Sequence, residues 1–227
     1  MTEALKGIAP IERTSVEDRV ATTLRELIVS GELPEGTPLV QRDLADRLGV
    51  SQTPVRLGLS ELERAGLVEV GDTGRALVRR LTREDFEEVY AARLGLEGLA
   101  ARVGAAAVGP AELERMHGLY AQLERLARKQ AVDDYLRARW DFHATCYRAS
   151  GRGRLVAEVE RLFWRAERYN RLVLTGRERF DRSVQHYHDF LDACERGSGK
   201  RAEAVIHRSI RWALDLVLES LPSEAER

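Results

Sequence analysis

Residues 41–66 read QRDLADRLGVSQTPVRLGLSELERAG, two short amphipathic segments broken at one glycine. In the first, Gln41 to Leu48, the residues Leu44, Ala45 and Leu48 share a face, and Gly49 stands where a left-handed residue closes a helix. Ser51 follows as a fresh N-cap and opens a second helix that runs to about Ala65 and stops at Gly66. Two helices joined by a short glycine-containing turn form a helix-turn-helix. The first turns of such a second helix enter the major groove of DNA, and here they carry Ser51, Gln52, Thr53 and Arg56. Gln can fork onto adenine and Arg onto guanine, while Ser, Thr and the N–H groups of the helix start can grip phosphate. Arg42, near the start of the preceding helix, is placed to reach the backbone or a base edge.

Upstream, Val16, Val20, Leu24, Leu27 and Ile28 recur at helical spacing, with Ser15 as cap and Gly31 as stop. The segment from Glu32 to Pro38 is dense in turn residues and reads as a loop. Downstream, Leu67-Val68-Glu69-Val70 and Arg75-Ala76-Leu77-Val78 flank Gly71-Asp72-Thr73-Gly74, a β-hairpin. This hairpin is the wing; Arg75 at its tip is expected to touch the adjacent minor groove, and Gly74 beside it is counted with the DNA-binding residues. Spaced polar residues of this kind also occur on the solvated face of an ordinary helical hairpin, so the run must be judged as a whole.

As a whole, Gly31 to Val78 resembles the DNA-binding domain of the GntR family of bacterial repressors. The resemblance is carried by Gly31-Glu32-Leu33-Pro34-Glu35-Gly36, Leu39, Leu44-Ala45, Leu48-Gly49-Val50-Ser51, Pro54-Val55-Arg56, Leu62-Glu63, Gly66-Leu67-Val68 and Gly74, in order. Two positions depart from it. Gln52 stands where the family usually has Arg, which implies a different base preference there. Leu57-Gly58 replaces a Glu-Ala pair, which puts a glycine inside the recognition helix at a cost of about 1 kcal/mol relative to Ala, and a looser helix without DNA is the expectation.

The chain has 227 residues, more than one typical core needs. We expect two domains, 1–80 and 81–227. Net charge is -1 over the whole chain, and about −2 over the first eighty residues, so DNA binding must rest on local clustering of cations. Met1 to Pro10 has no apolar core, no later run is long and apolar enough to span a bilayer, and the two cysteines, Cys146 and Cys194, lack a CxxC spacing. These features point to a cytoplasmic protein with no membrane partner and with both cysteines acting as small apolar side chains and not as a redox pair. No nucleophile elbow, phosphate-cradling glycine loop, HExxH or convincing carboxylate pair is present, so an enzyme is not expected.

From Leu81 the apolar period is helical throughout, in segments Phe86–Val103, Leu113–Leu126, Val132–Ala149, Leu155–Leu174, Val184–Cys194 and Ala202–Leu221. The fold is therefore mostly α: a winged helix-turn-helix with a small β-hairpin wing, then an antiparallel all-helical bundle of about six helices. Leu81-Thr82-Arg83-Glu84-Asp85, Tyr90, Arg93, Leu96-Glu97, Phe142-His143, Ala149-Ser150-Gly151, Leu155, Leu191-Asp192-Ala193 and Gly197 resemble the effector domain of the FadR subfamily. That resemblance implies a small-molecule cavity and a homodimer reading a two-fold double-stranded DNA operator. Many such proteins hold a divalent metal through one Asp and three His, which then binds a carboxylate effector. The corresponding positions here are Arg139, His143, Tyr187 and Ser209, so only His143 remains, with His186, His188 and His207 one or two residues away. Arg cannot ligate a metal and one imidazole makes no stable site, so no metal and no other cofactor is expected unless a divergent site uses those histidines.

A guanidinium can instead fork onto a carboxylate directly. Arg139 with Arg93, His143 and Tyr187 would then line an anion pocket for a small carboxylate effector. The alternative is that Arg139 is a surface residue or half of an internal ion pair, with Glu97 a candidate partner. Trp140, Phe163 and Trp164 read as core or cavity wall, and His117 as solvated. The leading expectation is a DNA-binding regulator, in the repressor mould, whose operator affinity responds to that effector. A constitutive DNA-binding dimer that has lost sensing is the alternative.

Overall fold

The computed structural model of the chain describes residues 15–71 and 74–220. Among them are nine helices and one two-stranded sheet. Asp72 and Thr73 of the expected wing turn, the segment Met1 to Pro10, and Leu221 at the expected end of the last helix lie outside the described residues.

Helix α1 spans Val16–Ser30, capped by Ser15 in a reciprocal box with Asp18 and closed by Gly31 at φ 78°. Helices α2 (Gln41–Leu48) and α3 (Gln52–Arg64) follow, the turn between them passing through Gly49 at φ 66°, where a β-carbon would be strained. Val20, Leu24 and Ile28 of α1 meet Ala45 of α2, Val55, Leu59 and Leu62 of α3, and Leu67, Val68 and Val78 of the wing in one hydrophobic core. Strands β1 (Val68–Val70) and β2 (Ala76–Val78) pair antiparallel, Val68 opposite Val78. The segment expected to be only a loop adds a third edge to this wing. Pro38 bridges to Leu77, the Leu39 N–H donates to Ala76 O at 2.8 Å, and the Gly36 N–H donates to Val78 O at 2.8 Å. The pairing is tertiary, so turn-residue composition alone could not reveal it.

Helices α4 (Arg83–Ala105), α5 (Pro110–Lys129), α6 (Val132–Ala149), α7 (Gly153–Val173), α8 (Arg177–Glu195) and α9 (Gly199–Ser220) form the bundle around a second core. Helix α4 is central, packing on α6, α7 and α9. Helix α8 begins seven residues before its expected start at Val184, immediately after Gly176 at φ 74°. Its early turns carry an Arg177–Asp181 pair one turn apart and bury only Phe180 and Ser183, too little apolar pattern to register as a helix.

Helix α7 belongs to both halves of the molecule. Residues 166–170, Ala-Glu-Arg-Tyr-Asn, are all buried, so this stretch of the helix is covered around its whole circumference, while Ala157, Glu158 and Arg161 nearer its start are exposed. One side faces the bundle through Phe163 and Glu167. The other grips the segment between wing and bundle: Arg165 pairs with Asp85, Arg168 donates to Arg79 O at 2.6 Å, and the Tyr169 hydroxyl donates to the Thr82 carbonyl or the Asp85 carboxylate, each 3.0 Å away.

Cys146 and Cys194 face each other across α6 and α8, both buried, with sulfurs 3.7 Å apart. The hydrogen bond shared with Cys194 and burial both push the Cys146 thiol pKa well up, so it stays protonated and unreactive.

Candidate DNA-reading face and buried polar cluster

The N-terminal turns of α3 stand clear of the protein, with Ser51, Gln52, Thr53 and Arg56 exposed. They do so because the opposite stripe, Val55, Gly58, Leu59 and Leu62, is committed to the core. Arg42, Gln52, Gly74 and Arg75 line one open cleft between the start of α2, the start of α3 and the wing. Gly74 takes φ 73° there, a conformation that turns the wing tip and that other residues rarely adopt. Ser51 holds the N-cap position in extended conformation, but its hydroxyl makes no capping bond, and Val40 at the start of α2 has none to offer. Two helix starts on this face therefore carry N–H groups without side-chain caps, which suits phosphate.

Gly58 has a packing reason that sequence did not supply. A β-carbon there would sit 3.1 Å from Val20 Cγ1, 3.2 Å from Ala21 N and 3.4 Å from Glu17 O. Glycine is what lets α1 lie against the recognition helix.

In the bundle, the four expected pocket residues converge. Arg139 on α6 donates through Nε to the Tyr187 hydroxyl at 2.6 Å and through Nη1 to Glu167 Oε2 at 3.0 Å. The His143 ring, one turn along α6, lies 4.9 Å from the Tyr187 ring, and the Arg93 and Arg139 guanidinium carbons lie 5.7 Å and 5.9 Å from the Phe163 ring. Glu97, the suggested partner of Arg139, is instead bound by Arg93 at 2.8 Å and by the Tyr147 hydroxyl at 3.1 Å. The reason is local: Arg93 and Glu97 are one turn apart on α4, and the carboxylate that faces Arg139 comes from α7. Arg139 is thus half of an internal ion pair. The Glu167 Oε1 atom accepts from the Asn170 amide at 3.1 Å, and Asn170 Oδ1 accepts from the Tyr90 hydroxyl at 2.8 Å.

Burial alone would lower the Arg139 pKa, but the charges of Glu167 and Tyr187 raise it, so the cation is permanent. Burial likewise pushes Glu97 up, and Arg93, His143 and Tyr147 together bring it below the usual carboxylate range. For Glu167 burial outweighs Arg139 and Arg93, and its pKa is raised. Burial also drives His143 down to about 3 against the pull of Glu97, so its imidazole is neutral at physiological pH. Its Nδ1 is buried without a hydrogen-bond partner.

Ser209 lines the same small cavity as Arg139, while Tyr187 meets Arg139 and His143 away from that cavity's lining. The neighbouring histidines do not join them. His186 packs on Trp212 at 5.2 Å, His188 is exposed beside Tyr120, and His207 Nε2 donates to Leu94 O at 2.8 Å. An arginine, a tyrosine, a serine and one imidazole do not suit a zinc-type centre. Sequence reasoning missed Glu167, Asn170, Tyr90 and Tyr147. Glu167 had a signal: it follows Val156, Val159 and Phe163 on the apolar stripe of α7, where a carboxylate needs a buried partner.

An exposed recognition helix beside a wing, joined to a helical bundle with a polar heart, defines a DNA-binding regulator. The chain matches the family described as bacterial regulatory proteins, gntR family, over residues 16–78, and the FCD domain over residues 88–211. It belongs to the gntR family of regulators that carry an FCD domain, which are transcription regulators and not enzymes. It is 29% identical over 197 residues to a probable D-xylose utilization operon transcriptional repressor of Paenarthrobacter nicotinovorans, covering 85% of this chain and 84% of that protein. An uncharacterized HTH-type transcriptional regulator of Mycobacterium tuberculosis is 35% identical over 163 residues; the match covers 63% of this chain and 66% of that protein, just under two thirds of its length. Among solved structures, E. coli McbR/YncC superposes with a TM-score of 0.83 at 20% identity, covering 92% of this chain and 99% of that one. No helix among the described residues is long and apolar enough to cross a membrane.

Proposed function

We propose that the protein is a cytoplasmic, repressor-type regulator. In this reading a homodimer binds a two-fold operator through α3 and the wing, and a small carboxylate in the helical domain changes its operator affinity. The domain division at residues 80 and 81 belongs to the same reading and is supported by separate hydrophobic cores on either side of it. DNA reading is assigned to Arg42, Ser51, Gln52, Thr53, Arg56, Gly74 and Arg75, and effector binding to Arg93, Arg139, His143 and Tyr187. The observation that carries the sensing half is the unpartnered Nδ1 of His143, buried one turn from the Arg139 guanidinium. The ligand acts by favouring one spacing of the two recognition helices over another.

Two experiments test these halves. Gln52→Ala and Arg56→Ala remove exposed side chains, so fold and dimer are retained while each lost bidentate base contact weakens operator binding by about 1–3 kcal/mol. Unchanged affinity in both variants refutes the placement of α3. A thermal-shift screen against organic acids should reveal a stabilising ligand, and that ligand should alter operator affinity. A second reading, a constitutive DNA-binding dimer, is favoured by the existing Arg139–Glu167 pair and by the size of the cavity beside it, ≈ 20 Å³. It predicts no hit in the screen.

A further inference from the structure

We propose that Glu167 is a resident occupant of the effector's carboxylate site, and that a small hydroxycarboxylate binds by exchanging with it at Arg139 while its hydroxyl meets His143 Nδ1. This rests on the sensing reading and specifies both the ligand class and the step that admits it.

The charge balance requires an exchange. Arg93 and Arg139 are buried and already matched by Glu97 and Glu167. A third anion would leave a net negative charge out of water, at a cost its new contacts would have to exceed. One glutamate must therefore yield, and the two are held differently. Glu97 is gripped by a guanidinium and a phenol. Glu167 gives only Oε2 to Arg139, its Oε1 being spent on the neutral Asn170 amide. A free carboxylate can take two parallel N–H groups of the guanidinium fork, a geometry Glu167 does not use. The released side chain, its pKa already raised by burial, takes up a proton, so two cations still face two anions.

The second polar group of the ligand is set by His143. A neutral imidazole presents one donor and one acceptor, and a hydroxyl can serve as either partner, so it satisfies Nδ1 in both tautomers. Size is set by the space. The cavity between Arg139, Asn170, Ser183 and Ser209 measures ≈ 20 Å³, room for about one water. The ligand must occupy that volume and what Glu167 vacates. The exchange is felt at the winged helix because Glu167 lies between Arg165 and Arg168 on α7, and these hold Asp85 and Arg79.

The test uses the full-length protein and a matched pair of minimal probes, glycolate and acetate, titrated calorimetrically. Glu167→Gln keeps the shape and the Asn170 contact but removes the competing charge, so glycolate should bind at least tenfold more tightly than to the parent. Acetate should gain as much yet remain weaker than glycolate, and His143→Phe should erase that difference. Adding Arg139→Gln to Glu167→Gln should abolish binding of both. Should Glu167→Gln fail to accumulate as folded protein, Glu167→Asp, which draws the carboxylate back by one methylene, should still raise glycolate affinity several-fold. Equal glycolate affinity in the parent and either folded variant overturns the exchange. The outcomes separate from the sensing reading: a screened acid that shifts operator affinity, with no gain in the Glu167 variants, overturns the exchange alone. Tighter glycolate binding by Glu167→Gln, with no acid affecting the parent's operator affinity, supports the exchange and overturns sensing.

Discussion

Acid should unfold this protein through His143, and the size of the effect follows from its burial. In the unfolded chain the imidazole titrates near 6.5, whereas in the folded bundle its pKa is about 3. Above 6.5 both states are neutral and the residue makes no pH-dependent contribution. As pH falls below 6.5 the unfolded chain takes up a proton that the folded one refuses, so stability is lost at up to about 1.4 kcal/mol per pH unit until the folded pKa is reached. At pH 5 the loss from this residue alone is about 2 kcal/mol. Trp140, Trp164 and Trp212 all lie in the bundle, on α6, α7 and α9, so urea unfolding followed by tryptophan fluorescence reports on the right domain. The parent and His143→Gln should be compared at pH 7, 6 and 5. The variant is expected to be less stable at pH 7, because the ring packs among Tyr147, Phe163, Tyr187 and Phe190. Its stability should fall less steeply with acid, and the two curves should converge by about 2 kcal/mol between pH 7 and pH 5. Parallel curves refute the argument and place the imidazole in a solvated or charge-compensated setting.

Gly58→Ala should change winged-helix stability by less than about 1 kcal/mol, because its better helix propensity opposes a contact that must open by a few tenths of an ångström. Gly58→Leu should separate α1 from α3 and cost several kcal/mol, read by chemical denaturation; a neutral Leu variant refutes the close packing. Purified protein should carry no stoichiometric transition metal, and a chelator should leave the melting temperature unchanged, because Arg139, Tyr187 and Ser209 occupy positions where a zinc-type site needs Asp or His. Elemental analysis showing about one zinc, nickel or manganese per chain, with stability lost on chelation, refutes that.

Elements with a strong local signature were readable from sequence. Helix α1 was marked by Ser15 and Gly31, α2 and α3 by Gly49 and Ser51, and the wing by two alternating runs around glycines. What remained hidden depended on contacts between distant segments. The pairing of Leu39 with Ala76 needs the chain to have folded back, and the start of α8 is fixed by Phe180 reaching Tyr135 of α6, with ring centroids 5.1 Å apart. That Arg93, Arg139, His143 and Tyr187 come near one another was legible because a family pattern supplied their register. The partner of Arg139 was not, since helical spacing says which residues share a face but not which face of another helix lies opposite. Glu97 was the carboxylate nearest in pattern, and Glu167 is the one nearest in space.

Helix α7 limits how freely the two halves of this protein can be recombined. The residues that hold the wing's exit, Arg165, Arg168 and Tyr169, alternate along one helix with Phe163 and Glu167, which complete the bundle's interior. A chimera cut in the segment after Val78 would set a foreign winged helix against a surface shaped for Arg79, Thr82 and Asp85. A graft that carries those junction residues with the donor domain and matches them on α7 is the exchangeable unit. The DNA-reading half and the helical half are thus not separable by a single crossover, because both are fitted to the helix they share.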